Sequence, residues 1–430
     1  MNRRILRLAI PNILSNLSVP LLGAVDTAMV GHLEDVAYLG AISVGGMIFN
    51  FLFWGFGFLR MGTTGLTAQS FGKEEPTSVV MDLSRALLVA AVGSVMLIIL
   101  QDFIAYISFW VVEASPEVER FTRLYFFIRI YSAPAVLGVY ALNGWFLGMQ
   151  NAKYPMYVTI GLNALNIGLD VLFIYGFGMH VDGVAWGTLI ARYFGLFLAV
   201  GLLLYSYRDY MRHFVRDRLL ELRELKKFVT VNRDIFIRTL CLIFTFSFFT
   251  AKSAESGDII LAANTILIQL WMIISYGIDG FAYAAESLVG RFIGARDRQR
   301  LRQAIAYSFI WGISIGVAGS VVYGIFDRTI LKIFTNKPEV IQQALSVFAW
   351  TIAAPLVNSF SYIWDGIFIG ATASVPMRNS MIIATLLIFL PAYYLGKGVL
   401  GAHALWMAMT LFMFARGLTL SLFYPSYIMK

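Results

Sequence analysis

The chain has 430 residues, 59% of them hydrophobic and only 13% charged, with 33 Lys and Arg against 25 Asp and Glu and a net charge of +8. A soluble domain carries about a quarter charged residues, so this composition excludes a water-soluble globular protein and makes lipid the solvent. The basic residues sit in short loops, which excludes a nucleic-acid-binding surface and matches the cytoplasmic loops of a membrane protein.

A helix needs roughly 20 mostly apolar residues to cross a bilayer. Apolar runs between charged or Gly/Pro breaks predict twelve spans, at 8–32, 37–69, 84–112, 120–149, 155–178, 183–206, 234–253, 258–293, 304–327, 340–370, 376–396 and 399–425. The expected fold class is an all-α membrane protein of twelve transmembrane helices. Arg3, Arg4 and Arg7 precede the first run in the manner of a signal peptide. That run is long and carries Pro11, Pro20 and Asp26, so it reads as a retained helix. Its prolines interrupt the backbone ladder. The resulting bend either moves as an intramembrane carboxylate changes charge or is a static kink.

Loop charge sets the orientation. Lys73 and Arg85 follow the second span, Lys153 the fourth, and Arg296, Arg298, Arg300 and Arg302 the eighth. The alternate loops are acidic or mixed, with Glu34, Asp35, Glu113, Glu117, Glu119, Asp182 and Asp258. The positive-inside rule then puts both termini in the cytoplasm of a bacterial-type inner membrane. Arg328, Lys332 and Lys337 on the nominal outside are the exception.

Residues 207–233 separate an amino-terminal lobe, 1–206, from a carboxy-terminal lobe, 234–430. Val215, Leu219, Leu222 and Val229 recur there at helical spacing. The pattern predicts a cytoplasmic amphipathic helix on anionic headgroups, or a solvated linker helix. The lobes are internally similar. FLRMGTTGLTAQSFGKEE (58–75) matches FAYAAESLVGRFIGARD (281–297), and SAPAVLGVYALNGWFLGMQNAKYPM (132–156) matches AAPLVNSFSYIWDGIFIGATASVPM (353–377). The expected architecture is two pseudo-symmetric six-helix bundles. Repeated bundles are a transporter signature, with the site near mid-membrane; duplication alone also builds a channel.

A carboxylate at the bilayer centre costs about 2.5–3.5 kcal/mol on insertion scales. It persists where something offsets that cost, and burial favours its neutral, protonated form. Asp26, late in the first span, is a candidate coupling group or an interface carboxylate. Asp170 lies mid-span with Asn163 and Asn166 at spacings of three and four, so all three share one helical face. Such a stripe serves function or a hydrogen-bond ladder between helices. Asn143 and Thr188 are candidate partners of Asp170 or interhelical glue, and Tyr125 is a weaker candidate at a span end. Asp279, Glu286 and Asp365 form either a second cation or substrate site in the carboxy-terminal lobe or packing residues.

There is no G-x-x-x-x-G-K-[ST] loop, so transport is not driven by an ATPase of this chain. The four histidines lack metal-ligand spacing, no Ser/His/Asp constellation stands out, and the one cysteine, Cys241, allows no intrachain disulfide. The expectation is a non-enzyme with no metal and no cofactor. Seventeen Met and 35 Phe line a pliable cavity for varied small organic substrates or face lipid.

LAIPNILSN, VPLLGAVDTAMVGHL, FLRMGTTGLTAQSFG, LNIGLDVLF, NRDIFIRTL, YGIDGFAYAAE and DGIFIGA stand in this order. Together they resemble the multidrug and toxic compound extrusion (MATE) family, DinF-like branch, over essentially the whole length. The resemblance implies a V-shaped fold of two six-helix lobes and export of amphipathic, often cationic drugs in exchange for H⁺ or Na⁺. It implies Asp26 and Asp170 as the coupling pair, Asn143, Asn166 and Thr188 with Tyr125 nearby as the polar network, and Pro11 as the hinge. Asp365 resembles a cation-site carboxylate of the NorM-like branch, but the rest of that branch's pattern, notably a glutamate in the seventh span, is not obvious in this sequence. The expected function is multidrug antiport by a monomer in lipid. The alternatives are a flippase for lipids or lipid-linked precursors, which would need a wider basic cavity for phosphates, whereas the first half shows no intramembrane arginine cluster, and a channel or passive membrane scaffold.

Overall fold

The computed structural model describes residues 1–30, 36–112 and 114–429; the side chains at 24, 26–28, 30 and 36 lie outside the described set. Among the described residues there is no strand. The helices are α1 (Asn2–Val30), α2 (Val36–Gly55), α3 (Phe58–Gly72), α4 (Pro76–Ile99), α5 (Gln101–Val111), α6 (Pro116–Arg129), α7 (Ala133–Gly148), α8 (Lys153–Val171), α9 (Val181–Met211), α10 (Leu222–Glu255), α11 (Asp258–Gly294), α12 (Arg298–Phe334), α13 (Pro338–Gly370), α14 (Ser374–Ile382), α15 (Leu390–Leu400) and α16 (His403–Tyr427). Among the described residues, twelve stretches are long and apolar enough to cross a membrane. Helices α2 and α3 form one such stretch, as do α6 with α7 and α14 with α15. Helix boundaries follow local chemistry. Ser115 caps α6 by accepting from the Val118 amide, with Pro116 in the first turn, where its missing N–H costs nothing.

By internal contacts the chain divides into two compact units, Leu14–Phe228 and Met1–Ile13 with Val229–Lys430. The start of α1, up to Ile13, thus groups with the carboxy-terminal half. The division in α1 falls just after Pro11.

The connecting segment is not a single amphipathic helix. Helix α9 runs on to Met211, Arg216–Arg218 form a 3-10 turn, and α10 starts at Leu222. The turn stays close to the amino-terminal unit because Arg85 Nη2 donates to the Arg218 carbonyl at 2.8 Å. Phe228 packs against Leu66, Ala86 and Ala141. Val215, Leu222 and Val229, at helical spacing in sequence, are exposed.

The amino-terminal unit has an aromatic core. Phe49 stacks on Phe126, and Trp145 donates its indole N–H to the Val79 carbonyl at 2.9 Å. Helices α3 and α7 pack closely because Gly144 and Gly148 present no side chain to Arg60, Thr67 and Ala68. In the carboxy-terminal unit, Trp271, Trp406, Phe249 and Phe412 form the core, and the Trp406 indole donates to Asn264 at 2.8 Å.

The internal repeat is visible in backbone detail. Gly366 and Gly370 of α13 hold the places that Gly144 and Gly148 hold on α7, and lie against Ala282, Glu286 and Gly290. The step in sequence from Gly144 to Gly366 is the same as from Gly148 to Gly370, from Arg60 to Ala282 and from Ala68 to Gly290. Outside glycine, the described positive-φ residues are Glu74, Gln150, Arg296 and Thr372, at 58°, 61°, 54° and 53°. The same step carries Glu74 onto Arg296 and Gln150 onto Thr372. Each member of the first pair ends a helix in the same way: Glu74 N donates to the Phe71 carbonyl and Glu75 N to the Ser70 carbonyl, as Arg296 and Asp297 do to Ile293 and Phe292.

Candidate functional site

Helix α8 carries the polar stripe. Asp170 is fully buried in a membrane-spanning stretch. The Asn166 amide, one turn earlier, donates to Asp170 Oδ2 at 3.1 Å. Asn163, a further turn back, donates to Ser18 Oγ at 3.1 Å and so ties the stripe to α1. The face is shared as helical spacing requires. A run of π-helix, Leu172–Gly176, follows directly, an irregularity frequent at functional positions.

Helix α9 closes the other side of the carboxylate. Gly187 abuts Asp170 Oδ1 so closely that a Cβ there would force the carboxylate to shift. Thr188 is the next residue and is buried. Asn143 is half-buried on α7, and its side-chain oxygen has no hydrogen-bond partner among the described residues. Tyr125 on α6 is buried in a cluster that also holds Ile174 and Val184. It packs edge-on to Phe49 and accepts at its hydroxyl from Arg129 Nη1 at 2.5 Å. Asp26 falls within α1, and its side chain lies outside the described residues. The structure therefore joins Asp170, Asn166, Asn163 and Ser18 through hydrogen bonds and Gly187.

In the carboxy-terminal unit the three carboxylates stand on α11 and α13. Glu286 is buried where Gly370 of α13 meets its backbone carbonyl. Asp279 is half-buried and acts electrostatically on Tyr276 and Tyr362. Asp365 pairs with Arg238 at 2.5 Å and with Arg416. A fourth carboxylate, Asp234, is fully buried and accepts from Arg378 at 2.9 Å and Ser374 at 3.0 Å. No group of three or more His, Cys, Asp or Glu side chains is arranged to hold a metal among the described residues.

Sequence reasoning does not single out Ser18, Gly187, Arg238, Arg416 or Asp234. The two arginines carry a readable signal: a guanidinium inside NRDIFIRTL or LFMFARGL needs a counter-ion in a membrane. Gly187 and Ser18 carry none, because their roles depend on which helix faces meet.

The MatE family model matches residues 11–172 and again 235–395, once in each half. DNA damage-inducible protein F of Escherichia coli is 38% identical over 420 residues, covering 96% of this chain and 90% of that protein. Protein DETOXIFICATION 44, chloroplastic, of Arabidopsis thaliana is 25% identical and covers 96% of this chain and 80% of its own length. Among solved structures, a MATE in the bent conformation aligns with a TM-score of 0.89 at 20% identity, over 100% of this chain and 95% of that one. An outward-facing multidrug resistance MATE family transporter of the MOP superfamily gives 0.88 at 21% identity, over 99% and 95%. With the family model matched in both halves, and a twelve-span helical fold common to solved members, the chain belongs to the MatE family and is a multi-pass membrane transporter.

Proposed function

We propose that this transporter exports amphipathic, often cationic organic compounds by antiport with H⁺, or Na⁺, through alternating access. Asp170 with Asp26 is the coupling pair, Asn143, Asn166, Thr188 and Asn163 the polar surround with Tyr125 near it, and Pro11 the hinge of α1. The reading is supported above all by Asp170, a wholly buried carboxylate in a membrane span that accepts a hydrogen bond from the amide of Asn166. A bound proton or sodium ion offsets the cost of burying the carboxylate.

Loading and release of that cation change the hydrogen bonding of Asp170, and with it the link that runs through Asn166 and Asn163 to Ser18 on α1. A bend near Pro11, where proline leaves a helix without one backbone bond, converts that local change into movement. Cation and drug oppose each other by binding different states, which is what antiport requires. The basic loops put both termini in the cytoplasm of a bacterial-type inner membrane. The protein acts as a monomer in lipid, divided into lobes at 1–206 and 234–430 with 207–233 as connector. It needs no cofactor beyond the coupling ion.

Purified protein in proteoliposomes, with pH and Na⁺ gradients imposed separately, tests the reading. Asp170→Asn is expected to abolish gradient-driven dye efflux. Efflux at the wild-type rate from Asp170→Asn vesicles would overturn the assignment.

A further inference from the structure

Arg238, Asp365 and Arg416 stand on α10, α13 and α16, and are 6%, 7% and 1% exposed. Asp365 Oδ2 accepts from Arg238 Nη2 at 2.5 Å and from Arg416 Nη2. One oxygen of one carboxylate thus serves two guanidiniums. The rest of Arg416 is poorly provided for. Its Nη1 faces the Met413 sulfur at 2.9 Å, and its Nε is buried without a hydrogen-bond partner among the described residues. Its charge lies 5.4 Å from the centre of the Phe412 ring and 5.9 Å from that of Tyr362. Asp279 of α11 acts on the same tyrosine.

A guanidinium does not give up its proton inside a protein, so both positive charges are permanent. Losing the Asp365 charge, to protonation or to a bound metal cation, takes from both the carboxylate they share and leaves Arg416 beside Met413 and Phe412. The cost of an uncompensated buried charge is much larger than that of the intact cluster. The repeat sharpens the contrast. Asp365 directly precedes Gly366 as Asn143 directly precedes Gly144, so the two are counterparts in the register of the paired glycines. The amino-terminal unit has an uncharged amide at this place in its own fold.

We propose that Asp365 is a positioning residue, the fixed counter-ion that pins α10, α13 and α16 together through Arg238 and Arg416, and that it takes up no transported cation or proton. Its position in a span and its acidity mimic a coupling group, while its two arginines remove it from that role. The inference stands on the carboxy-terminal unit alone and does not depend on the role given to Asp170.

The test compares Asp365→Asn with the triple variant Arg238→Met, Asp365→Asn, Arg416→Met, reading membrane abundance, thermal unfolding in detergent, and dye efflux under pH or Na⁺ gradients. Asp365→Asn alone removes the carboxylate that both guanidiniums share and is expected to lower abundance several-fold. The triple variant removes the charges together, a replacement that buried ion triads tolerate. It is expected to recover abundance and melting temperature and to couple efflux to the same ion as wild type. The proposal is overturned if the triple variant is stable but uncoupled, if it is no more stable than Asp365→Asn, or if Asp365→Asn is itself as stable as wild type. Asp170→Asn run in parallel separates the two readings: silence there with rescue here refutes only the coupling role of Asp170.

Discussion

Gly187→Ala tests whether the Asp170 carboxylate works from the position it occupies. A Cβ built at Gly187 meets Asp170 Oδ1 head-on, with the carboxyl carbon at 3.4 Å and Leu169 Cβ at 3.5 Å. Asp170 is fully buried and tied to Asn166 at 3.1 Å, so the oxygen has little room to retreat. Forcing an extra methyl into such packing costs about 1–3 kcal/mol. Alanine returns about 1 kcal/mol through its better helix propensity, leaving a net loss of roughly 0–2 kcal/mol. At about 1.4 kcal/mol per factor of ten, that leaves most of the protein folded and displaces the carboxylate. The assay is dye efflux driven by an imposed ion gradient, measured beside thermal unfolding. Gly195→Ala is the control, because the atoms nearest its Cβ belong to Leu162, at 3.0 and 3.2 Å, on the same pair of helices. Gly187→Ala is expected to melt close to Gly195→Ala and to lose coupled efflux as Asp170→Asn does, while Gly195→Ala retains coupling. Coupled efflux in Gly187→Ala equal to that in Gly195→Ala would show that the position of this carboxylate does not matter.

Arg85→Ala removes the 2.8 Å bond to the Arg218 carbonyl, a charged hydrogen bond of about 1.5–3 kcal/mol. Trypsin is then expected to cleave faster at Arg216 and Arg218 with no loss of the membrane core, and unchanged cleavage rules out this anchor. Glu74→Gly places glycine where φ is 58° on an exposed helix end. Relief of about 1–2 kcal/mol of left-handed strain exceeds the entropic cost of about 0.5–1 kcal/mol for glycine, so a small rise in melting temperature is expected, and a fall refutes the strain.

The twelve spans are legible in the sequence because the bilayer demands a run of apolar residues and little else. Shared faces are legible for the same geometric reason: Asn163, Asn166 and Asp170 recur at helical spacing and do line one side of α8. The connector shows the limit of such spacing. Val215, Leu219, Leu222 and Val229 have a helical period, yet the backbone turns at Arg216–Arg218. A carbonyl in that turn has a better partner in Arg85, distant in sequence, than in its own helix. Tyr125 meets Arg129 one turn along its own helix, as spacing allows, but its contact with Phe49 is set by how α2 meets α6.

Charge pairing is the part that period and hydropathy leave open, and the repeat explains why. The two halves share a scaffold down to paired glycines and left-handed helix ends at one constant interval in sequence. Close helix contact depends on backbone shape, so it survives duplication. Ionisable groups do not follow the same rule. Asn143 of one half corresponds to Asp365 of the other, and only the latter is matched by guanidiniums from α10 and α16. A single carboxylate read off a span is therefore ambiguous between a group that exchanges a cation and one that holds helices together. The distinction rests on the partner: a pair of arginines neutralises a carboxylate for good. By that criterion Asp365, though sunk in apolar sequence as Asp170 is, is the fixed counter-ion proposed above.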